Sequence, residues 1–439
     1  MEYPRQCSGS KHGPAAALMV CSSAFTTLGR AQASAFGHAN LPIGVVPHPF
    51  GLRSRDGIRE LAEWFVDDVA RLACRSGSEE PSAISSGSLP SQRAALLEMA
   101  DDLDAFNSLF RERRWSDGLP MVPPTIERVD RMLRYTRRAR EEVVGLIAPG
   151  FGAATVERIA INGVLAGCDP DYMPVLIAAA EAISTPRFNL QGIQATTNPV
   201  AVWLIINGPI AKQLGINGSY NCLGQGTWAN ATLGRAVRLM LQNIGGALPG
   251  EMDRSTHGQP AKYTFCCAEN EEANPWEPLH VERGFARAQS TVTVVGISGT
   301  VNMNTHAKDA GDLLKIVADT LMQPASNDYW VGGEPWIVFP PEHAEILKRD
   351  GLSKADVKRR IWEQAKMVAG RMAAKDLART AKARRAELGE IGPDTLLPPS
   401  TLPEDIGILI AGGPGTHCVC IPSYGNMMRS VTREVISVT

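Results

Sequence analysis

The sequence predicts an α/β protein in which a small parallel α/β layer is followed by a larger α/β domain. Three observations carry this. Residues 1–75 alternate apolar strand-like runs with helix-like runs. Residues 76–92 are dominated by Ser, Gly, Pro and Glu, the composition of a linker. Residues 93–439 hold short, wholly apolar runs separated by segments of helical periodicity.

In the first unit, Ala15–Cys21 reads as a buried strand and Phe25–Phe36 as a helix ending near Gly37. Leu41–Val46 is a second strand, stopped by Pro47 and Pro49. Gly57–Leu72 is an amphipathic helix, because Ile58, Leu61, Phe65, Val69 and Leu72 recur at three- to four-residue steps. The resulting β-α-β-α order is half of a parallel layer. A unit of this size is small for independent stability, so packing on the rest of the chain or on a second subunit is expected.

In the larger unit, a helix is predicted over Arg93–Arg111. Asp117–Thr125 is too rich in proline to be helical. Thr155–Gly167 and Tyr172–Ile183 read as helices, the second with Pro174 in its first turn, where proline is tolerated. Pro199–Ile206 is a buried strand. The Gly/Asn-rich loop 215–226 precedes a helix over Ala231–Ile244. Tyr263–Ala268 and Ser290–Gly296 read as strands, Ala310–Leu321 as a helix and Trp336–Phe339 as a strand. Ser353 caps a helix reaching Lys366. Met372–Leu388 is helical and highly charged, the pattern of a solvated arm or a partner-facing helix. Ile406–Ala411 is a last buried strand, running into a glycine-rich loop.

Composition excludes several function classes. A net charge of −2 gives no electrostatic reason for a nucleic-acid partner. No apolar window is long enough to span a membrane, and the first residues lack a basic-then-apolar signal pattern, so a cytoplasmic protein is expected. The nine cysteines are scattered and odd in number, which argues against a disulfide framework.

Residues 18–72 resemble the C-terminal half of the UGSC-like family, α/β redox proteins named for a (seleno)Cys-Gly-Ser-Cys motif. Val20-Cys-Ser-Ser-Ala-Phe25, Arg30-Ala-Gln-Ala33 and Leu41-Pro-Ile-Gly-Val-Val-Pro-His-Pro-Phe-Gly51 carry the resemblance. It implies a truncated UGSC-like domain and a possible UGSC-type protein partner. The family's motif itself is absent: Cys7-Ser-Gly-Ser10 is at best a degenerate remnant, so the redox pair does not carry over. Residues 115–435 resemble uncharacterised proteins that accompany or fuse to UGSC-like domains. The resemblance lies in Thr155–Cys168, Gln194–Thr197, Ala229–Arg235, 262–285 and Ile410–Gly415. It implies an α/β fold associated with thiol or selenol chemistry.

The densest chemistry lies in 262–285. If Tyr263–Ala268 is a strand that continues back to Lys262, alternation puts Lys262 and Cys266 on one face. A nearby cation would then lower the Cys266 thiol pKa, making Cys266 the candidate nucleophile. The alternative is that Cys266 and Cys267 are both buried structural thiols. Glu269, Glu271, Glu272, Glu277 and Glu282 offer a general acid/base pair or oxygen ligands for a metal, or else form a solvated acidic loop. Pro275 and Pro278 around Trp276 favour an ordered loop. His280 and Glu282, two apart in an extended segment, would face the same way as a His–carboxylate pair. Metal binding has no His-x-x-x-His or Cys-x-x-Cys spacing behind it, so no cofactor is predicted. His417-Cys-Val-Cys420 reads as core packing or a redox-sensitive pair. Cys168 follows a helix C-terminus, which raises a thiol pKa, and is the second candidate nucleophile.

Polar loops supply substrate-binding candidates: Thr197, Asn230, Arg235 as a carboxylate clamp, and Gly413 and Gly415 as a backbone-amide nest. The glycine loop lacks both the P-loop Lys and the Gly-x-Gly-x-x-Gly pattern, which disfavours ATP and NAD. The expected function is a thiol-dependent enzyme acting on a small polar metabolite, carboxylate- or sulfur-bearing, by redox or by addition/elimination at a C–S or C–O bond. Cys266 would be its thiol. Glu269, Glu272 or Glu282 would move protons with help from His280, and Lys262 and Arg235 would hold an anion. The alternatives are a non-catalytic scaffold for a complete UGSC-type protein and a Glu/His metal-dependent hydrolase or hydratase.

Overall fold

The computed structural model describes residues 17–50, 52–73, 94–425 and 427–437. It has the α/β class that the alternation of apolar runs predicts. The chain divides into two compact units, Met1–Leu89 and Pro90–Thr439. The predicted linker over 76–92, and Cys7 with its neighbours, fall outside the described residues.

In the first unit, β1 (Met19–Ser22) leads through α1 (Thr26–Ala35) to β2 (Ile43–Val46) and α2 (Arg55–Ala73). The two strands pair in parallel, Met19 opposite Ile43. Leu61, Phe65 and Val69 of α2 close over Val46, so the three- to four-residue apolar spacing becomes the packed face.

The second unit opens with α3 (Leu103–Glu112) and α4 (Ile126–Leu133). The predicted helix start at Arg93 is corrected. Asp102 takes an extended conformation and its carboxylate accepts from the N–H groups of Asp104 and Ala105, so the helix begins there. The hairpin β3 (Val143–Ile147) and β4 (Gly152–Thr155) follows. Thr155 then caps α5 (Val156–Ala166), and Gly167 ends it at φ 90°. The buried helix α6 (Met173–Ile183) and the short α7 (Leu190–Ala195) lead to β5 (Ala201–Asn207). Next come α8 (Pro209–Gln213), α9 (Trp228–Asn243), β6 (Cys266–Ala268), α10 (Leu279–Glu282) and β7 (Thr291–Ile297). The chain then builds β8 (Val301–Asn304), α11 (Ala310–Leu321), α12 (Asn327–Val331), β9 (Trp336–Phe339), α13 (Pro341–Arg349) and α14 (Lys354–Gln364). It ends with β10 (Met367–Val368), α15 (Ala374–Leu388), β11 (Leu396–Leu397), β12 (Gly407–Ile410), β13 (His417–Ile421) and β14 (Val431–Glu434).

Two four-stranded mixed sheets organise this unit. One has the order β14-β7-β5-β6 and the other β12-β9-β13-β8. β5 and β7 are buried along their whole length; β5 is accordingly an unbroken apolar run over Ala201–Ile206, whereas β7 places Thr291 and Thr293 between its valines. β5 runs parallel to β6, and β12 parallel to β9. Trp203 of β5 meets Trp336 of β9 edge to face at 5.6 Å, joining the two sheets through one aromatic contact.

α15 is not a solvated arm. Thr380 and Arg384 are fully buried, and the Arg384 guanidinium donates to the carbonyls of Tyr329 (3.2 Å) and Pro398 (2.7 Å) while pairing with Glu387. A charged sequence can thus hide one cation, four of whose five N–H groups are engaged. In β4, a Cβ at Gly152 would sit 2.0 Å from the Ile244 carbonyl oxygen. Gly152→Ala is therefore expected to cost about 2–4 kcal/mol, since backbone rather than a flexible side chain must give way. A urea midpoint equal to that of the unsubstituted protein would refute this.

Candidate functional site

The loops that follow β5, β6 and β12 are stitched together. The N–H of Ala268 donates to Asn217 O (3.1 Å), that of Glu269 to Ile206 O (3.1 Å), that of Asn270 to Ile410 O (2.8 Å) and that of Gly412 to Gly218 O (2.9 Å). They meet outside the carboxyl ends of parallel strands, where open α/β sheets place ligands. Loop 217–227 is pinned by Asn230, which accepts from Asn217 N (2.8 Å) and donates to Asn217 O (2.9 Å) and Cys222 O (3.0 Å). Asn230, proposed from sequence as a substrate contact, is thus buried and spent on the loop.

Cys222 belongs to that loop and is buried. The neighbouring Cys267 thiol and the backbone of Cys222, Gly412 and Leu223 outweigh burial and hold Cys222 below the ordinary thiol pKa. The same pairing, with burial, pushes Cys267 well up. Of the two, Cys222 is therefore the more readily ionised. Sequence reasoning missed Cys222. Its one local signal is a cysteine inside the Gly/Asn-rich loop before α9; the 45 positions to Cys267 hide the pairing.

Strand alternation across β6 sends Cys266 the other way, toward Cys168. Both are buried. Burial and the neighbouring Cys168 push the Cys266 thiol up, and burial pushes Cys168 up to about 12 although the Thr232 side chain opposes it; the Cys168 thiol donates to Thr232 O (3.4 Å). The predicted partnership of Lys262 with Cys266 is corrected. Pro260–Lys262 is a 3-10 turn, Tyr263 is helical, and the strand begins only at Cys266. Lys262 Nζ instead reaches Asp253 (2.7 and 2.9 Å) and Ser255 Oγ (2.6 Å), with Arg238 3.4 Å from the same carboxylate. Burial depresses Lys262 in spite of Asp253.

The carboxylates part company. Glu269 is buried and accepts from Asn207 Nδ2 (2.6 Å), Leu279 N (2.7 Å) and Asn274 Nδ2 (2.8 Å). Burial raises it to about 7, although Lys354 and these donors pull it back. Glu272 is exposed and faces Lys212. Burial would raise Glu282, but Lys354 and Lys358 hold it low. The predicted His280–Glu282 pair does not form, because Leu279–Glu282 is a helical turn that points residues two apart in different directions. His280 is buried, its Nδ1 3.7 Å from Glu271 and its Nε2 3.4 Å from Arg287 O. Trp276 is buried, its indole N–H donating to Leu352 O (3.0 Å). Among the described residues, no three His, Cys, Asp or Glu side chains gather as metal ligands.

The remaining candidates are structural or peripheral. Arg235 forms a bidentate pair with Asp117 (2.7 and 2.9 Å) and also donates to Leu119 O and Pro120 O, so its clamp closes on the chain itself. Thr197 is exposed, its carbonyl accepting from Thr256 N (3.0 Å). Gly413 lets the Tyr220 ring lie against the loop, where a Cβ would be 2.1 Å from it. Gly415 N donates to Glu342 (2.9 Å). In β13, Cys418 and Cys420 are buried and pushed up by burial, and Cys418 Sγ is 2.8 Å from His343 Nδ1.

No curated protein and no solved structure matches the chain. A family model does match its first unit, the segment that folds as β1-α1-β2-α2: residues 11–75 match the UGSC family.

Proposed function

We propose that the protein is a thiol-dependent catalyst acting on a small polar metabolite, carboxylate- or sulfur-bearing, with Cys222 as the thiolate and Cys267 as its partner thiol. One feature carries this reading: beside Cys267 and the backbone of Gly412 and Leu223, between loops at the carboxyl ends of β6 and β12, the Cys222 thiol pKa is held below its ordinary value while the other buried thiols of this unit are pushed up. A thiolate is the nucleophilic form of cysteine, and backbone donors stabilise it without supplying a competing proton. On a disulfide substrate, Cys222 would attack one sulfur and release the other as a thiolate. The Cys267 thiol, losing its proton, would then displace the second half and leave a Cys222–Cys267 disulfide. On an electron-poor carbon, Cys222 would add and Cys267 would return a proton to the neighbouring position. Glu269, poised near neutrality directly after β6, is the acid/base candidate that retains support. A reducing cytoplasm suits the free thiols that this chemistry needs.

A second reading, a docking role toward a UGSC-type protein or a second copy, draws on the first unit. Phe36, Leu52, Trp64 and Val66 are exposed there, more apolar surface than a small layer ordinarily leaves to water.

Timed alkylation of the intact protein with iodoacetamide, read by peptide mapping, tests the first reading. Cys222 is expected to react ahead of Cys168, Cys266, Cys267, Cys418 and Cys420. Reaction of Cys222 no faster than these would remove it as the working thiol. Metabolite screening with and without a UGSC-type protein then addresses the substrate and the second reading together.

A further inference from the structure

A cavity of about 430 Å³ opens between α10, α14 and the amino ends of β9 and β12. Its volume is that of a small-metabolite site. It is separate from the Cys222 loops, which lie beyond the carboxyl end of β12. Its floor is Trp336, with Leu279 beside it.

The cavity's charges are unevenly partnered. Lys354 and Lys358, one turn apart on α14, both engage Glu282; Lys354 also donates to Glu277 O (2.8 Å). Glu334 accepts from Ser430 N (2.6 Å) and lies 3.8 Å from Arg429. Arg283 differs. It donates to the hydroxyls of Thr432 (3.0 Å) and Ser430 (2.7 Å), its guanidinium lies 5.5 Å from the Trp336 ring, and no carboxylate among the described residues comes within 4.0 Å of it. A guanidinium has five N–H donors, so two hydroxyls leave most of its fork unused. Three cations thus face the carboxylates of Glu282 and Glu334, and the surplus positive charge sits on the residue whose fork is open. At the rim the sign reverses, with Glu277, Glu404 and Asp405. That reversal disfavours phosphates and other polyanions, which would have to pass three acids.

We propose that this cavity binds a small zwitterionic amino carboxylate, its carboxylate bidentate on Arg283, its apolar part against Trp336 and Leu279, and its ammonium group toward Glu404 and Asp405. The site would serve recognition or control whether or not Cys222 is the working thiol, since it shares no residue with the Cys222 pair.

Isothermal titration of the full chain with each of the common α-amino acids, their deaminated carboxylates and inorganic phosphate tests this. At least one amino acid is expected to bind, with its deaminated analogue weaker by about tenfold or more, the effect of one lost charge-assisted contact. Arg283→Lys keeps the charge but loses the fork, and should weaken the amino acid by a similar factor. Because Arg283 is buried, the exposed Glu404→Gln provides an independent reading: several-fold weaker amino-acid binding, an unchanged deaminated analogue and an unchanged melting temperature. The proposal is overturned if no amino acid binds at concentrations up to about 10 mM, beyond the range of specific metabolite affinities. It is also overturned if phosphate binds more tightly than any amino acid, or if Glu404→Gln leaves amino-acid affinity unaltered.

Discussion

Glu269→Ala is expected to destabilise the second unit by about 3 kcal/mol, because three buried N–H donors lose their acceptor at once. Asn207 Nδ2 retains Glu271 at 2.9 Å and Asn274 Nδ2 retains Glu277 O at 3.3 Å, which keeps the loss below three full desolvation penalties. The loop 270–279 loses its anchor to β5, so the same substitution should raise proteolytic cleavage there. The pH dependence has a definite sign. Burial raises Glu269 from 4.5 to about 7, so the folded state holds this proton more tightly than the unfolded state does. The stability tied to that proton is fully present below pH ~4.5 and is lost as pH rises through about 7. At about 1.4 kcal/mol per unit, the swing is on the order of 3 kcal/mol. Urea unfolding of the pair of proteins should therefore show the cost of Glu269→Ala shrinking between pH 5 and pH 8. Asp328, also raised by burial to about 7, is present in both and cancels from the difference. A cost that grows with pH would show that Glu269 is held as a stabilised anion instead.

Cys222→Ser is expected to slow alkylation of the second unit on the order of 100-fold at pH 7, since each unit of raised thiol pKa removes tenfold of the thiolate. The thiols that would remain, Cys168, Cys266, Cys267, Cys418 and Cys420, are all pushed upward by burial or by a donated hydrogen bond. Cys266→Ser should leave the rate unchanged. The converse pattern, with Cys266→Ser silencing the reaction, would restore the thiol that the local sequence points to. Cys267→Ser separates donation from nucleophilicity: a serine hydroxyl still donates to Cys222, so the thiolate should persist while any disulfide with position 267 becomes impossible.

The sequence made legible what depends on local physics. A 3.6-residue apolar period located α2, and near-continuous apolar runs located α6, β5 and β12, to within a few residues, because burial of one face or of the whole element is written directly into the order of apolar residues. Ser353 located the start of α14, because a cap acts over three residues and is visible in three residues. The turn at Pro260–Lys262 escaped the same reading. Its apolar and polar residues suit a strand as well as a turn, and the backbone there follows the Asp253–Lys262 bond, which alternation does not reveal. That single misplacement separated Lys262 from Cys266.

The cysteines show where the boundary lies. Sequence by itself determined the α/β class, the presence of many unpaired thiols and the concentration of reactive groups around β6. Which thiol ionises most readily is set only by the tertiary structure. Cys222 meets Cys267 and Gly412, 45 and 190 positions away, brought together when β6 joins β5 and the loop after β12 crosses Gly218. A thiol pKa is set by burial and by the donors around the sulfur, and both are properties of the packed chain rather than of its neighbours in sequence.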